Sequence, residues 1–295
     1  MKRRICAALV TAALAGCGTG GGGSGGPSGP VSPPIRDSSS PPSSDSSSPP
    51  ASFEFPTLAT VRANSNEVRA LDVGTWNAHE LVRDQVRVTA NGDGNFTVRV
   101  AGTDPYQFTI NLSSPGVGFD DIGEVVGVSL TMQYSALGVW RHGRHPDWSQ
   151  TASVVGIATP ASDLPRTGTA QYNGRFIGTY TEDRTVFRVE AAALSTANFG
   201  TGVVSFETKN SLRNGFDMQQ MDLIGSMTIQ SGTSRVQGPV STKIPGMTGE
   251  ARGSFFGPSS ASSAPPELGG TVGVKSNGDV SLPPRSMIGG FVMKR

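Results

Sequence analysis

The sequence is poor in the residues from which most catalytic and metal centres are built. It has two Cys and three His among 295 residues, which excludes Cys-rich zinc folds and a disulfide framework. It has no HExxH motif, and no Gly-x-Ser-x-Gly serine lies near a convincing His and acid. We therefore predict no enzyme and no metal site. The 24 basic and 23 acidic residues give a net charge of +1, without the basic excess of a nucleic-acid binder.

Long hydrophobic runs are also scarce, and the one at the N-terminus has a particular form. The basic residues 2–4 precede an apolar run, Ile5–Ala15, which is shorter than the ~20 residues of a membrane-spanning helix. A basic start, a short apolar run and small residues predict a secretory signal peptide over residues 1–16. Leu14-Ala15-Gly16-Cys17 resembles the bacterial lipobox, which implies cleavage before Cys17 and acylation of its sulfur and amine.

Residues 17–52 consist largely of Gly, Ser and Pro. Such a composition offers almost nothing for a hydrophobic core, and it predicts a disordered tether. Cleavage of the leader would remove Cys6 and leave the acylated Cys17 as the only cysteine. We therefore expect no disulfide in the mature protein, and an attachment to the membrane through lipid.

Residues 53–165 show the short alternating runs and turn signals of a β domain. Val86–Thr89 and Phe96–Val100 flank an Asn-Gly-Asp-Gly turn sequence, which predicts a hairpin. Tyr106–Ile110 and Val125–Tyr134 also predict strands, and a helical turn is possible around Ala78–Arg83. The Pro-containing stretch 159–167 marks the predicted end of this domain.

One turn-prone stretch of this domain, Leu137–Trp148, has an unusual composition. It combines aromatic, basic and imidazole side chains: Trp140, Arg141, His142, Arg144, His145 and Trp148. Trp and Arg are enriched in the energetic centres of protein interfaces, so this stretch is a candidate partner-binding loop. A haem site is the second interpretation, since His supplies an axial ligand and Arg pairs with propionates. A loop without a specific role is the third.

Residues 166–295 predict an all-β domain of seven or eight short strands. Residues 169–180 alternate strictly, with Gly174 and Gly178 on the same face as Tyr172 and Phe176. Repeated Gly on one face is typical of a small closed barrel, in which strands bend and approach closely. Further predicted strands cover 185–193, 202–207, 223–230, 249–256, 268–274 and 288–293. We expect Tyr172, Phe176 and Phe255 to pack inside the barrel.

Three motifs of this region resemble the transferrin-binding protein B family of surface lipoproteins. They are Thr169–Gly178, the pair Gly249–Pro258 and Pro266–Gly270, and the ending Ile288–Arg295. The resemblance implies an eight-stranded antiparallel up-and-down β-barrel over 166–295, preceded by a handle-like β domain over 53–165. The length fits one handle-plus-barrel unit.

The resemblance also implies a function, because family members capture host proteins or haem at the cell surface. The leading hypothesis is a monomeric, non-enzymatic outer-membrane lipoprotein that captures a host protein or an iron or haem source through exposed loops. The alternatives are a small haem-binding carrier and a structural envelope lipoprotein without a soluble ligand. No cofactor is required by the first hypothesis, and haem is the one that the second would need.

Lipidation is directly testable at Cys17. Cys17→Ser should abolish incorporation of radiolabelled palmitate, because the thiol that accepts the diacylglycerol is lost. Cys6→Ser is the matched control and should leave labelling unchanged, since Cys6 lies in the predicted leader. Equal labelling of Cys17→Ser and wild type would contradict the prediction.

Overall fold

The computed structural model describes most of the chain from Phe55 onward. The described residues are 55–58, 60, 68–77, 80–82, 86–92, 95–100, 106–111, 118–120, 123–125, 132–142, 149–182, 185–243, 246–276 and 285–295. Cys17 and the predicted tether lie outside them. Residues 52–295 form one compact unit. Among the described residues, no helix has the length and apolarity that crossing a membrane requires.

The first nine strands form small antiparallel sheets in the region predicted to be a handle. They are β1 Val68–Asn77, β2 Glu80–Val82, β3 Val86–Gly92, β4 Asn95–Val100, β5 Tyr106–Asn111, β6 Gly118–Asp120, β7 Gly123–Val125, β8 Ser135–His142 and β9 Ser149–Ile157. The sheets have the orders β2-β1-β9-β8, β3-β4-β5 and β6-β7. The predicted hairpin at 86–100 is confirmed by the β3–β4 pairing.

Two local predictions in this region were wrong. Glu80–Val82 is a strand that pairs with β1, where a helical turn had been considered. Residues 132–134 precede β8 without being in a strand, so the predicted strand 125–134 does not reach its end. Residues Glu80–Val82 are extended because they pair with β1. This tertiary contact is not reflected in local sequence propensity.

The second half of the chain closes into the predicted eight-stranded barrel. Its strands are β10 Thr169–Glu182, β11 Thr185–Asn198, β12 Val203–Arg213, β13 Phe216–Asp217, β14 Leu223–Ile229, β15 Arg235–Thr242, β16 Met247–Phe256, β17 Glu267–Ser276 and β18 Arg285–Lys294. The two-residue β13 pairs with β12 alone, outside the ring of eight. Antiparallel pairing of β10 with β18 closes that ring. The fold class predicted from the sequence is confirmed.

Strand β15 was not predicted, and Pro239 in its middle explains why. Proline has no N–H to donate and is unusual inside a sheet. The register of β14 against β15 passes from Gly225↔Val240 to Thr228↔Gln237, with no pairs between. The ladder is therefore interrupted at Pro239, while β15 continues to pair with β16 along its length.

The barrel interior is a packed hydrophobic core. Tyr172, Phe176 and Phe255 are each at most 1% exposed, which confirms their predicted packing role. The other large, fully buried side chains of the interior are Tyr180, Phe206, Phe291, Met221, Leu223 and Met227. An eight-stranded barrel is just wide enough for side chains to fill it, and here they do.

Glycines make this crowded interior possible. A Cβ built at Gly174 would collide with the carbonyl oxygen of Val292 in the neighbouring strand, and one at Gly178 would collide with that of Ile288. Both glycines share the inward face of β10 with Tyr172 and Phe176. The large rings and the close strand approach therefore alternate along β10, as the sequence pattern indicated.

The β8–β9 hairpin of the first region covers one outer wall of the barrel. Leu137, Val139, Ala152 and Val154 of the hairpin form a buried cluster with barrel residues that point outward, among them Ile177, Phe256, Ile288 and Val292. Strands β17 and β18 are consequently buried on both faces, whereas β12 alternates between buried and exposed positions. The hairpin and the wall therefore share one core.

A buried carboxylate fixes the hairpin to the barrel. Glu267, at the start of β17, is 4% exposed. Its Oε1 accepts hydrogen bonds from the amides of Gln133 (2.6 Å) and Tyr134 (3.2 Å), and its Oε2 accepts from Ser135 Oγ (2.7 Å) and the Tyr134 amide (3.2 Å). Burial raises the pKa of Glu267, and these hydrogen bonds oppose the rise. The carboxylate thereby provides hydrogen-bond acceptors for the backbone amides just before β8.

The crowding at Gly174 yields a stability prediction. Gly174→Ala should lower the free energy of unfolding by about 2–3 kcal/mol, because the methyl group forces neighbouring backbone apart. Gly200→Ala is the matched control, since its Cβ would meet only Asn198 Oδ1, at 3.4 Å. The control should change stability by less than about 0.5 kcal/mol. Chemical denaturation measures both, and equal effects would refute the packing argument.

Removal of the Glu267 carboxylate should destabilise the fold. Glu267→Ala leaves the amides of Gln133 and Tyr134 and the buried hydroxyl of Ser135 without their acceptor, which should cost on the order of 3 kcal/mol. Glu250→Ala is a control, because Glu250 is half-buried and forms an ion pair with Arg252 on the outer wall. Chemical denaturation at neutral pH compares the two variants.

The raised pKa of Glu267 sets the sign of a pH effect. The folded chain holds this proton at a higher pH than the unfolded chain does. The resulting stability is present below the ordinary pKa of Glu and is lost as the pH rises through the folded pKa. The stability of wild type relative to Glu267→Gln should therefore fall as the pH rises from below 4.5. An increase over the same range would contradict the assignment.

Candidate ligand-binding rim

The filled interior directs attention to the ends of the barrel. We call the end where β10 begins the proximal end, because the chain enters the barrel there from β9. The distal end lies opposite, where β10 ends at Glu182, β12 ends at Arg213 and β18 begins at Arg285. The described strand ends around this distal end, with the β12–β13 hairpin and the residues that follow it up to Asp222, form what we call the distal rim.

Each end is closed from inside by a tyrosine. Tyr172 donates a hydrogen bond to the carbonyl oxygen of Pro265 (3.0 Å) at the proximal end, and burial raises its pKa. Tyr180 lies below the distal rim, where burial and the neighbouring Glu182 carboxylate raise its pKa to about 12. Both rings are 1–2% exposed, so they are part of the core and present little surface to a ligand.

The distal rim carries a short hairpin that continues β12 past its last pair with β14. Strand β12 continues into β13 with Arg213 opposite Phe216. The two residues between them have positive φ, 50° at Asn214 and 84° at Gly215, as in a type I′ turn. Asn214 is one of the few residue types besides Gly that adopt this conformation. Phe216 follows the turn and is 78% exposed.

Two sets of contacts hold this hairpin against β11. The amide of Asn214 donates to the carbonyl oxygen of Arg188 (2.9 Å), and Asn214 Oδ1 accepts from the Arg188 amide (2.9 Å). The guanidinium of Arg213 lies 4.3 Å from the centre of the Phe187 ring, and it is 3.6 Å from a carboxylate oxygen of Glu182. The turn is therefore held by both backbone and side chains.

The connection that follows the hairpin is anchored by Asp222. This residue is 3% exposed, and its Oδ1 accepts a hydrogen bond from the Ser211 amide (3.0 Å). Its Oδ2 is 3.0 Å from Lys243 Nζ. Because Ser211 lies in β12 and Lys243 follows β15, the carboxylate joins neighbouring connections of the rim and restricts their motion.

The structure places half of the residues predicted for a binding loop in a strand. Trp140, Arg141 and His142 form the end of β8, opposite Thr151, Gln150 and Ser149. Pairing with β9 explains why this segment is a strand. Its composition, rich in Trp and His, does not predict one. Arg144, His145 and Trp148 lie outside the described residues. The predicted grouping of all six side chains therefore stays a prediction.

Two contacts show the direction of β8 and β9 along the barrel wall. Ala158, just after β9, bridges Phe256 at the proximal end. Further back along the hairpin, a Cβ at Gly269 would lie 3.1 Å from Val154. The hairpin thus runs from the proximal end toward the distal end, with His142 and Ser149 at its far limit.

The rim hairpin at Phe216 was not predicted from the sequence. The signal was present, because Asn214-Gly215 between β-compatible residues is a strong short-range indication of a tight hairpin. The described residues contain no group of three or more His, Cys, Asp or Glu side chains that could hold a metal ion. The chemistry that the rim offers is apolar contact, hydrogen bonding and paired charges.

Comparisons with known proteins show a likeness of fold. No family model matches the chain, and no curated protein matches it. A double mutant of transferrin-binding protein B from Haemophilus parasuis Hp5 is similar in structure, with 15% identity and a TM-score of 0.51 over 77% of this chain and 45% of that one. The chain therefore has the fold of transferrin-binding protein B and spans less than half the length of that protein.

Two further structures were found. The isotype 1 transferrin-binding protein B from serogroup B Neisseria meningitidis has 14% identity and a TM-score of 0.49, over 77% of this chain and 43% of that chain. A protein described as a surface lipoprotein has 14% identity and a TM-score of 0.42, over 77% of this chain and 99% of that one.

Proposed function

We propose that this protein is a non-enzymatic, lipid-anchored protein of the outer membrane that captures a host protein or an iron or haem source at the cell surface. A structural neighbour with a TM-score of 0.51 is named for transferrin binding, which supports ligand capture as the general role. Cys17 would carry the acyl chains, and residues 18–52 would be the tether. The folded part would act as a monomer.

The observation that carries this proposal is the filled barrel with an exposed distal rim. The interior is occupied by the chain's own aromatic and aliphatic side chains, so a ligand would bind on the outside. One outer wall is covered by β8 and β9. In the described part of the distal rim, Phe216 is exposed, and the proposal therefore places capture there.

The end of β8 is a second contact region in this proposal. Trp140, Arg141 and His142 would approach the ligand from the side of the covered wall, together with Arg144, His145 and Trp148. Aromatic and Arg side chains are frequent at the energetic centres of protein interfaces. If the ligand is haem, His142 or His145 would supply the axial nitrogen.

The experiment is a capture assay with residues 53–295, which correspond to the compact unit. The immobilised protein is exposed to serum, to purified transferrin and to haemin, with heat-denatured protein as the control. We expect specific retention of one ligand by the folded protein. For haemin, the assay is a Soret band that His142→Ala or His145→Ala removes. Failure to retain a ligand from any of these sources would overturn the proposal.

A further inference from the structure

We infer that Phe216 is the central anchor of a protein-binding site on the distal rim, and that it inserts into an apolar pocket of a folded protein partner. This inference rests on the proposed function and makes it more specific. It selects a protein over haem or a lipid surface, and it assigns one side chain to the centre of contact.

Exposure is the first observation. Among the described residues, Phe216 is 78% exposed, more than the other exposed large hydrophobic residues, which are Ile224 at 61%, Val203 at 42% and Leu212 at 39%. A phenyl ring in water gains free energy when it is buried, by roughly 25 cal/mol for each Å². Ile224 lies on the barrel wall opposite Glu207, whereas Phe216 stands at the tip of the hairpin.

Rigidity is the second observation. The type I′ turn at Asn214 and Gly215, the paired hydrogen bonds with Arg188 and the contact of Arg213 with Phe187 hold the hairpin backbone before any partner arrives. A group that is already ordered loses little entropy on binding. Phe216 is thus an exposed aromatic ring on a preorganised support, which is the form of a binding anchor.

The charges around the hairpin indicate the kind of partner. Arg213 pairs with Glu182 at 3.6 Å, Arg188 with Glu190 at 2.9 Å, and Lys243 with Asp222 at 3.0 Å. Beside Phe216 these pairs cancel, and the acidic Asp217, which accepts a hydrogen bond from Gln219 (3.2 Å), adds negative charge, so this hairpin offers little attraction to an anionic membrane or a nucleic acid. A polar border around one aromatic residue matches the anatomy of a protein interface, with a buried anchor and a hydrated rim.

The test compares Phe216→Ala with Ile224→Ala in the full-length lipoprotein on cells. The probe is the serum protein that the wild-type protein retains, labelled and titrated. Phe216→Ala should weaken its binding at least about 30-fold, as for an interface hot spot, and Phe216→Leu should recover part of the loss. Ile224→Ala, which removes a similarly exposed apolar side chain from the wall, should change the affinity less than about threefold.

Two controls keep the result interpretable. Thermal unfolding should be nearly the same for all variants, since Phe216 makes little contact with the folded chain. Binding to vesicles of phosphatidylethanolamine and phosphatidylglycerol, and the sedimentation coefficient of the protein, should not depend on Phe216.

The outcomes separate this inference from the function on which it rests. Equal binding of the serum protein by wild type and Phe216→Ala would overturn the inference while the capture function stands. A Phe216 effect only on vesicles, or only on self-association, would also overturn it in favour of a lipid surface or a second copy. If wild type retains no serum protein, the inference fails, and the capture function fails with it unless haemin is bound.

Discussion

The close approach of neighbouring strands inside a small closed barrel is the constraint on which the rest of this structure depends. Eight strands enclose a space that is only as wide as a layer of side chains. Tyr172, Phe176 and Phe291 fill that space. Gly174 and Gly178 have no side chain, so the backbone of β18 can approach β10 closely. The barrel is therefore a solid support, and recognition has to take place at its surface.

Because the interior is filled, recognition can involve only the outer surface, and this surface has two distinct parts. The wall of β10, β17 and β18 is apolar on the outside as well, and it is stable in water because β8 and β9 cover it. Glu267 closes the edge of the same contact by accepting hydrogen bonds from the chain before β8. The β8–β9 hairpin thus forms a second core with the outer face of the barrel wall.

The barrel could be predicted from the sequence because the residue pattern of its strands is local and repeated. Alternation along 169–180, with Gly on the face of the large rings, reports strand geometry and interior crowding together. Strand β15 was not predicted because Pro239 is unfavourable inside a strand. Pairing with β16 nevertheless holds this segment in the extended conformation. The end of β8 was not predicted to be a strand for a related reason. Pairing with β9 determines its conformation, whereas the composition of Trp140–His142 indicates a loop.

The candidate site was harder to predict than the fold, because exposure is a property of the whole chain. Asn214-Gly215 before Phe216 indicates a hairpin, but the local sequence does not show that the Phe216 ring is exposed while Phe206 is 1% exposed. The difference arises where β12 continues past its last pair with β14 into the Asn214-Gly215 turn, and Phe216 follows in a strand that pairs with β12 alone. A tight turn at this point therefore converts an ordinary strand residue into an exposed one on a hydrogen-bonded backbone. The interior aromatic residues stabilise the barrel, and this turn makes the same kind of side chain accessible to a partner.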